Sequence, residues 1–186
     1  FYKTIDWEES LKRGESYIFV ANHTSMLDIM LMFSIIRHHP FVFVGKKELA
    51  KIPLFGYFYK RTSILVDRSN AISRKKVFSY AQDRIKQGLS ICIFPEGGVP
   101  PEHIRLDDFK IGAFKLSLEH KLPLVPFTFL DNKKRFSYTF FSGTPGRMRV
   151  KAHSFFNPKD YNSDSLREMK EEVYSLILKS LKKDSI

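Results

Sequence analysis

A histidine and an aspartate lie five residues apart where a predicted strand is followed by a predicted helix. His23 follows the strand-like run Tyr17 to Val20, and Asp28 falls in the first turn of a helix-like run from Met26 to about Arg37. Strand-to-helix turns are where α/β proteins place many functional groups. The His23 imidazole could donate one ring N–H to Asp28 and accept a proton on its other nitrogen. The pair would then be a general base with an orienting carboxylate.

The same residues also fit a purely structural role. Ser25 is a favourable helix N-cap, and Asp28 three residues later completes the Ser-x-x-Asp pattern of a capping box. A histidine after a strand is often a buried structural residue. This stretch alone therefore leaves catalysis and helix capping equally open.

A second candidate group follows the apolar run Ser90 to Phe94, which we predict to be a buried strand. Pro95-Glu96-Gly97-Gly98 interrupts that strand. Two glycines allow the backbone to approach a ligand closely. If the strands before His23 and Glu96 are neighbours, the Glu96 carboxylate lies beside the histidine. There it would hold a substrate or the local loop rather than act as a second base.

Two basic residues are candidates for binding an anionic group. Arg68 ends the strand-like run that starts at Ser63, and a guanidinium can donate two parallel hydrogen bonds to a phosphate. Lys110 lies near the start of a predicted helix, where its ammonium group could contact an anion. The structural alternatives are a surface ion pair between Asp67 and Arg68 and an ordinary solvated lysine.

The segment from Gly45 to Arg61 contains apolar and aromatic residues between two basic clusters, and Pro53 and Gly56 interrupt any long helix. Such a segment could place its rings in a membrane interface while its lysines contact head groups. It could also form the wall of an acyl-chain groove. The alternative is that Phe55 and Phe58 pack inward as ordinary core residues.

Strand-like and helix-like patterns alternate along the chain. This predicts one α/β domain over residues 1–186, with a central, largely parallel sheet flanked by helices and late strands that pair antiparallel at one edge. The predicted strands are 16–21, 41–45, 63–67, 90–94, 123–130, 136–141 and 147–155, and the predicted helices are 26–38, 47–59, 70–87, 109–120 and 163–183.

The composition favours anionic partners. The chain has 31 Lys and Arg against 20 Asp and Glu, a net charge of +11, which suits phospholipid head groups, phosphate-bearing substrates, acidic carrier proteins or nucleic acid. Its 18 Phe and 8 Tyr suit a membrane interface, although most of these rings are expected in the core. The single cysteine, Cys92, excludes an internal disulfide, and no Cys or His spacing predicts a metal site.

Taken together, these motifs resemble the glycerolipid acyltransferases, the family that includes the lysophosphatidic acid acyltransferases. Four blocks occur in the family's order: Asn22-His23-x-x-x-x-Asp28, the strand ending at Arg68, Phe94-Pro95-Glu96-Gly97, and Leu122-Pro123-Leu124-Val125-Pro126. Phe109-Lys110-Ile111-Gly112-Ala113 resembles a further family segment. The resemblance covers about two thirds of the chain and implies the sheet and helices of the glycerol-phosphate acyltransferase fold.

One block departs from the family pattern. The third block usually ends in Thr-Arg, where this chain has Gly98-Val99. The missing arginine usually contacts the acceptor's phosphate in this family. The departure therefore bears on the identity of the acceptor more than on the type of reaction. Arg68, Arg105 or Lys110 could supply the charge instead.

The resemblance implies direct acyl transfer that requires no metal or cofactor. His23 would take the proton from the acceptor hydroxyl, and Asp28 would orient the imidazole. The residues implied to bind substrate are Asn22, Arg68, Glu96, Gly97, Gly98 and Lys110. Backbone N–H groups near Gly97, Gly98 or Ser25 would bind the oxyanion. The donor would be acyl-CoA or acyl-acyl carrier protein, and the acceptor a lysophospholipid, foremost 1-acylglycerol-3-phosphate, giving phosphatidic acid.

The implied location is the cytoplasmic face of a membrane, reached through the surface of this chain or an N-terminal membrane segment outside it. The implied partners are an anionic membrane surface and an acyl carrier protein, and not nucleic acid. No apolar run approaches the roughly 18 residues of a membrane span. Two alternatives stay open: the same chemistry on a phosphate-free acceptor such as an amino-acid lysolipid, and a non-catalytic basic module that binds membrane or nucleic acid.

Overall fold

A seven-stranded sheet forms the centre of the computed structural model, which describes residues 2–25, 27–67, 70–137 and 143–184. The strands are β1 (Tyr2–Trp7), β2 (Ile18–Ala21), β3 (Phe41–Lys46), β4 (Ser63–Val66), β5 (Ser90–Ile93), β6 (Leu124–Phe129) and β7 (Arg147–Ala152). The helices are α1 (Leu27–Ile35), α2 (Phe55–Thr62), α3 (Ala71–Lys86), α4 (Gly112–His120), α5 (Asn132–Arg135) and α6 (Leu166–Lys183).

β2 occupies the middle of the sheet, whose strand order is β1-β7-β6-β2-β5-β3-β4. It pairs parallel with β5 and β6, and β3 pairs parallel with β5 and β4. β7 runs antiparallel to β6, and β1 pairs parallel with β7 at the edge. All residues of β2 are buried, as expected of a parallel strand covered on both faces. The predicted sheet, largely parallel and mixed at one edge, is confirmed.

Alternating side chains of β2 enter two separate core layers. Ile18 and Val20 pack in a cluster with residues of α3, α4 and α6, whereas Phe19 and Ala21 pack in a cluster with residues of α1. Helices on both faces leave the carboxyl ends of the parallel strands as the edge where loops meet. The turn after β2 and the turn after β5 therefore lie side by side.

Most predicted elements are confirmed with ends that differ by a few residues, but the helix predicted over 47–59 is wrong. A 3-10 turn at Lys47–Lys51 and the separate helix α2 take its place. Pro53 cannot continue a helix, and Leu54 has a positive φ of 58° that reverses the chain before α2. The helix predicted over 109–120 begins only at Gly112.

β1 and α5 have no counterpart among the predicted elements. β1 pairs with residues 147–152, so its hydrogen-bonding partner lies at the other end of the chain. The strand predicted over 136–141 falls mostly on residues 138–142, outside the described residues, and Phe136 and Ser137 are not in a strand. Among the described helices, none has both the length and the apolar composition to cross a membrane.

Candidate active site

The His23 imidazole contacts the Asp28 carboxylate. β2 ends at Ala21 and α1 begins at Leu27, and in the turn between them His23 Nδ1 lies 2.8 Å from Asp28 Oδ2. The Asp28 side chain is completely buried and the His23 side chain is 15% exposed. With Nδ1 as the donor, Nε2 of the neutral ring is an acceptor. The predicted contact is confirmed, and the catalytic role assigned to the pair stays a prediction.

Three further donors hold the Asp28 carboxylate. Its Oδ2 also accepts hydrogen bonds from the backbone N–H groups of Thr24 at 2.6 Å and Ser25 at 2.9 Å. Its Oδ1 accepts one from Asn132 Nδ2 at 2.6 Å. Asn132 begins α5 and is completely buried. Sequence reasoning missed this residue, because no local pattern connects it with Asp28.

The helix cap and the histidine contact are present together. Ser25 Oγ accepts a hydrogen bond from the N–H of Leu27 at 3.0 Å, while Asp28 accepts from the N–H of Ser25. The Asp28 half of this reciprocal arrangement is that of a capping box, while the Ser25 hydroxyl caps the N–H two residues on instead of three. Since one carboxylate oxygen serves both the cap and the imidazole, the two interpretations of this stretch are not exclusive.

The rest of the His23 ring faces an aromatic wall and a cleft. Phe94 stacks on the imidazole with ring centroids 4.1 Å apart and an interplanar angle of 14°, and Phe43 stacks behind Phe94 at 5.9 Å. Within the described chain, Nε2 of His23 has no hydrogen-bond partner. His23 borders a cleft of about 590 Å³ whose lining includes Phe43, Phe94 and Gly98. Nε2 of His23 therefore lies beside a cleft with room for a substrate.

Glu96 ties the turn after β5 to the turn after β2. Its Oε1 accepts a hydrogen bond from the backbone N–H of His23 at 2.6 Å, and its Oε2 accepts one from the N–H of Asp107 at 2.8 Å. The residue is 4% exposed, and this burial raises the pKa of Glu96 to about 7 against the opposing effect of the two hydrogen bonds. Of its two predicted roles, the geometry supports holding the local loop, and a contact with the acceptor stays a prediction.

The two glycines after Glu96 differ in what they contact. Gly97 has a φ of +80°, and a Cβ built on it would lie 2.5 Å from Lys110 Nζ, so the lysine crosses directly over this glycine. The Gly97 N–H donates to the carbonyl of Phe94 at 3.0 Å. Gly98 lines the cleft with His23. Neither its N–H group nor that of Val99 has a protein acceptor among the described residues.

The structure does not bring Lys110 into the His23 cleft. Lys110 is exposed and lines a separate, mostly apolar groove of about 580 Å³ between α3 and α4. Phe94 separates the two spaces and lines both. The predicted substrate contact of Lys110 is therefore possible only with a ligand that extends into this second groove.

Asn22 and Arg68 complete the set of predicted site residues. Asn22 is completely buried, its Oδ1 accepts from the N–H of Phe129 at 2.8 Å, and its Nδ2 donates to the Phe129 carbonyl at 3.1 Å. It therefore fixes the end of β2 to the end of β6, and we interpret it as a positioning residue. Arg68 lies outside the described residues.

The cations Lys46, Lys133 and Arg105 lie at or next to the cleft, and of these only Arg105 was named from the sequence as a possible source of charge for a phosphate. Lys46 and Lys133 line it together with His23. Lys133 Nζ donates to the carbonyls of Glu102 and Ile104 and thereby also holds the loop that follows Gly98. Arg105 lines an adjoining cavity of about 450 Å³ that shares Lys133 with the cleft.

No three His, Cys, Asp or Glu side chains in the described part of the chain cluster as metal ligands.

Named relatives resemble this chain over most of its length. A 1-acyl-sn-glycerol-3-phosphate acyltransferase of Cocos nucifera is 29% identical over 166 residues, which are 88% of this chain and 53% of that protein. A protein of the same name from Salmonella typhimurium is 29% identical over 154 residues, which are 82% of this chain and 61% of that protein. The chain spans about half the length of the curated relatives it matches.

A solved structure agrees with the fold, and a family model matches most of the chain. The crystal structure of PlsC, a 1-acyl-sn-glycerophosphate acyltransferase from Thermotoga maritima, matches 97% of this chain and 72% of that chain with a TM-score of 0.78. At 24% identity this likeness shows the shared fold alone. The family model described as Acyltransferase matches residues 4–130, which contain every predicted site residue. The chain therefore belongs to the acyltransferase family.

Proposed function

We propose that this chain transfers a fatty acyl group from a thioester donor to the hydroxyl group of a lysophospholipid. The observation that carries the proposal is the 2.8 Å contact between His23 and Asp28 beside an open cleft. Relatives named 1-acyl-sn-glycerol-3-phosphate acyltransferases support the choice of acceptor. The first candidate acceptor is therefore 1-acylglycerol-3-phosphate, and its product would be phosphatidic acid.

His23 acts as the general base in this mechanism. Its Nε2 removes the acceptor's hydroxyl proton as that oxygen attacks the thioester carbon, and Asp28 fixes the tautomer and stabilises the imidazolium. The new C–O bond forms, the C–S bond breaks, and the imidazolium returns the proton to the thiolate. Phe94, stacked on the ring at 4.1 Å, prevents the imidazole from rotating out of the cleft.

The N–H of Gly98 is the donor best placed for the tetrahedral oxyanion. The other candidates named from the sequence are already engaged, because the N–H of Ser25 donates to Asp28 and that of Gly97 donates to Phe94. Gly98 borders the cleft and its N–H is available there. A donor that is not used by the fold can stabilise charge that develops only during the reaction.

The donor substrate is an acyl thioester of coenzyme A or of acyl carrier protein. Both carriers are acidic, and the net charge of +11 favours association with either. The apolar groove of about 580 Å³ beside Phe94 offers a place for a fatty acyl chain, with Lys110 at its border.

The acceptor's phosphate would be bound by cations at the cleft. Lys46 and Lys133 line the cleft, and Arg105 lines the adjoining cavity, so positive charge is available where the family's usual Thr-Arg is replaced by Gly98-Val99. That replacement also favours a second candidate, an acceptor without a phosphate, such as an amino-acid lysolipid.

We place the enzyme at the cytoplasmic face of a membrane, as a peripheral protein or one attached through a segment outside this chain. Its lipid substrates reside in bilayers, and the excess of Lys and Arg favours an anionic lipid surface. The proposal includes no metal, organic cofactor or nucleic acid.

The experiment that tests this function is thiol release from acyl-CoA and acyl carrier protein, with 1-acylglycerol-3-phosphate or a phosphate-free lysolipid as acceptor. We expect acceptor-dependent release that falls about 10³-fold in His23→Ala, because a positioned base contributes two to four orders of magnitude. His38→Ala, at an exposed histidine after α1, is the matched control and should retain full activity.

The acceptor panel separates the two candidates. Transfer to 1-acylglycerol-3-phosphate supports the first, and transfer only to phosphate-free acceptors supports the second. A folded wild-type protein that transfers to neither acceptor from either donor would contradict the enzyme function and favour the non-catalytic binding module.

A further inference from the structure

Apolar side chains between β3 and β4 are unusually exposed. Leu54 is 85% exposed, Phe58 65%, Tyr57 58% and Ile52 45%. Single exposed apolar residues are common on soluble proteins, but several together mark an interaction site. The alternative that Phe58 packs inward is wrong. We call these four residues, together with the neighbouring Lys47, Lys51, Lys60 and Arg61, the aromatic-basic face.

The inner side of this segment is fixed to the sheet, so the exposure does not come from loose packing. Tyr59 is 6% exposed and lies against Gly45 of β3, where no side chain would fit. Gly56 packs against the Ala50 carbonyl, and its N–H donates to the carbonyl of Ile52 at 2.7 Å. α2 therefore holds the outer side chains in a defined orientation.

Leu54 adds a backbone feature. Its φ of 58° is unfavourable for a residue with a branched side chain, and yet the side chain is almost completely exposed. A strained conformation persists where the surrounding structure enforces it, and such residues cluster at functional sites. Here the strain projects an apolar side chain outward, where it contributes nothing to the core.

The charge around the exposed rings is almost entirely positive. Between residues 46 and 61 the chain has five Lys and Arg and one acid, Glu48. All four basic residues of the aromatic-basic face are exposed. The Arg61 guanidinium lies 3.7 Å from the centre of the Tyr57 ring. Apolar rings bordered by basic side chains complement the interface of a membrane that contains anionic lipids.

The aromatic-basic face adjoins the mouth of the His23 cleft. Leu49 and Tyr59, from the same segment, line that cleft. Ile29 of α1 lines it as well, and Met30 of α1 is 64% exposed. A surface that rests on the bilayer at this position would let a lysophospholipid enter the cleft without crossing water.

We infer that the aromatic-basic face docks this protein onto an anionic phospholipid bilayer, with Leu54 and Phe58 inserted among the head groups. The inference rests on the proposed function, because it assigns the surface through which the lipid substrate is reached. The occupant is a lipid surface rather than a protein, since a cluster of apolar side chains bordered by basic residues matches acyl chains and anionic head groups together.

The test is co-sedimentation with vesicles of neutral phosphatidylcholine, with and without a third of phosphatidylglycerol. Wild type should bind the anionic vesicles, and Leu54→Gln/Phe58→Gln should bind about tenfold more weakly because less apolar surface inserts. Lys51→Gln/Lys60→Gln should reduce binding about fivefold per lysine. Tyr2→Gln is the matched control, since Tyr2 is 64% exposed on β1, at the opposite edge of the sheet from β4.

A second readout separates this inference from the proposed function. With monomeric short-chain substrates in detergent, both double variants should retain wild-type activity, because neither pair lines the cleft. Wild type that is active in detergent but binds anionic and neutral vesicles equally would overturn the docking inference alone. Unchanged vesicle binding by folded double variants would also overturn it, as would a wild-type dimer that these variants dissociate. Vesicle binding as expected without activity in detergent would contradict the proposed function instead.

Discussion

The Asp28 carboxylate accepts hydrogen bonds from the His23 ring, from two backbone N–H groups of the turn before α1 and from Asn132. Its orientation is therefore set by the start of α1 and by α5 before any substrate binds. A histidine held in this way presents Nε2 to the cleft in one tautomer. Asp28 can thus cap the helix and orient the base at the same time.

Asp28→Asn should lower kcat by about 10²-fold to 10⁴-fold, because the amide disturbs the tautomer that leaves Nε2 free. Ser25→Ala is the matched control. It removes the cap hydroxyl and about 1 kcal/mol of stability, but it leaves the carboxylate and most of the activity. Steady-state kinetics and chemical unfolding of both variants check this. Equal activity losses in the two variants would mean that Asp28 acts only through the helix cap.

Glu96 makes stability depend on pH. Burial raises its pKa from 4.5 to about 7, so the folded state binds more protons than the unfolded state between these values. The stability linked to Glu96 is therefore greatest below about pH 4.5 and declines as pH rises through about 7. We expect the unfolding free energy of wild type relative to Glu96→Gln to fall by about 2.5 kcal/mol from pH 5 to pH 8.

Urea unfolding across this pH range measures the effect of Glu96. Glu119→Gln, at an exposed glutamate of α4, is the control and should show no such trend. A difference between wild type and Glu96→Gln that stays constant with pH would contradict the raised pKa.

Among the elements, the connections that follow the carboxyl ends of β2 and β5 build the site. Parallel pairing of these strands brings the His23 and Glu96 turns together, and the tight turn at Gly97 directs Gly98 toward the cleft. The positive φ of Gly97 is the feature on which this turn depends.

Gly97→Ala should reduce stability by about 1–2 kcal/mol, because a Cβ is unfavourable at a φ of +80° and meets Lys110. Gly112→Ala is the matched control. Nothing lies within 4 Å of a Cβ at Gly112, which begins α4, so this change should be neutral or stabilising by up to about 1 kcal/mol. Thermal unfolding compares them, and equal effects of the two substitutions would disprove a special role for the Gly97 turn.

At the scale of the whole molecule, one arginine connects three distant parts of the chain. Arg149 of β7 donates to both carboxylate oxygens of Asp131, at 2.6 and 2.8 Å, and to both of Asp184, at 2.6 and 2.7 Å. Asp131 follows β6 and Asp184 follows α6. This contact holds the end of α6 against the antiparallel part of the sheet, next to α5, which begins at Asn132.

Arg149→Met should lower stability by about 2–3 kcal/mol at neutral pH, because it leaves the buried Asp131 carboxylate without its cation. The loss is smaller than for a fully buried pair, because Arg149 is partly exposed. Burial raises the pKa of Asp131, but hydrogen bonds from Arg149 outweigh it and lower the pKa overall. The Arg149 contribution is therefore lost as pH falls below the ordinary carboxyl range.

Chemical unfolding at neutral and acid pH checks the role of Arg149. Lys115→Met, which breaks an exposed ion pair with Glu119, should change stability by less than about 0.5 kcal/mol. A loss for Arg149→Met no larger than this control would show that the contact is an ordinary surface pair.

The local parts of the site can be predicted from the order of the residues. The His23–Asp28 spacing and the Ser25 cap belong to the connection between β2 and α1, and the glycines after Glu96 form a turn directly after β5. Backbone geometry over a few residues decides such features, so their residue types suffice to predict them. The alternating apolar runs likewise determined the largely parallel sheet, because parallel strands must be covered on both faces.

Contacts between residues far apart in the chain are visible only in the folded structure. Glu96 contacts His23 across 73 residues, and Asn132 contacts Asp28 across 104. The same packing excludes Lys110 from the cleft and exposes Phe58, whose neighbour Tyr59 turns inward. These contacts depend on strand order and on the packing of helices against the sheet. Neither can be predicted from the residue types and spacing within a short stretch of the chain.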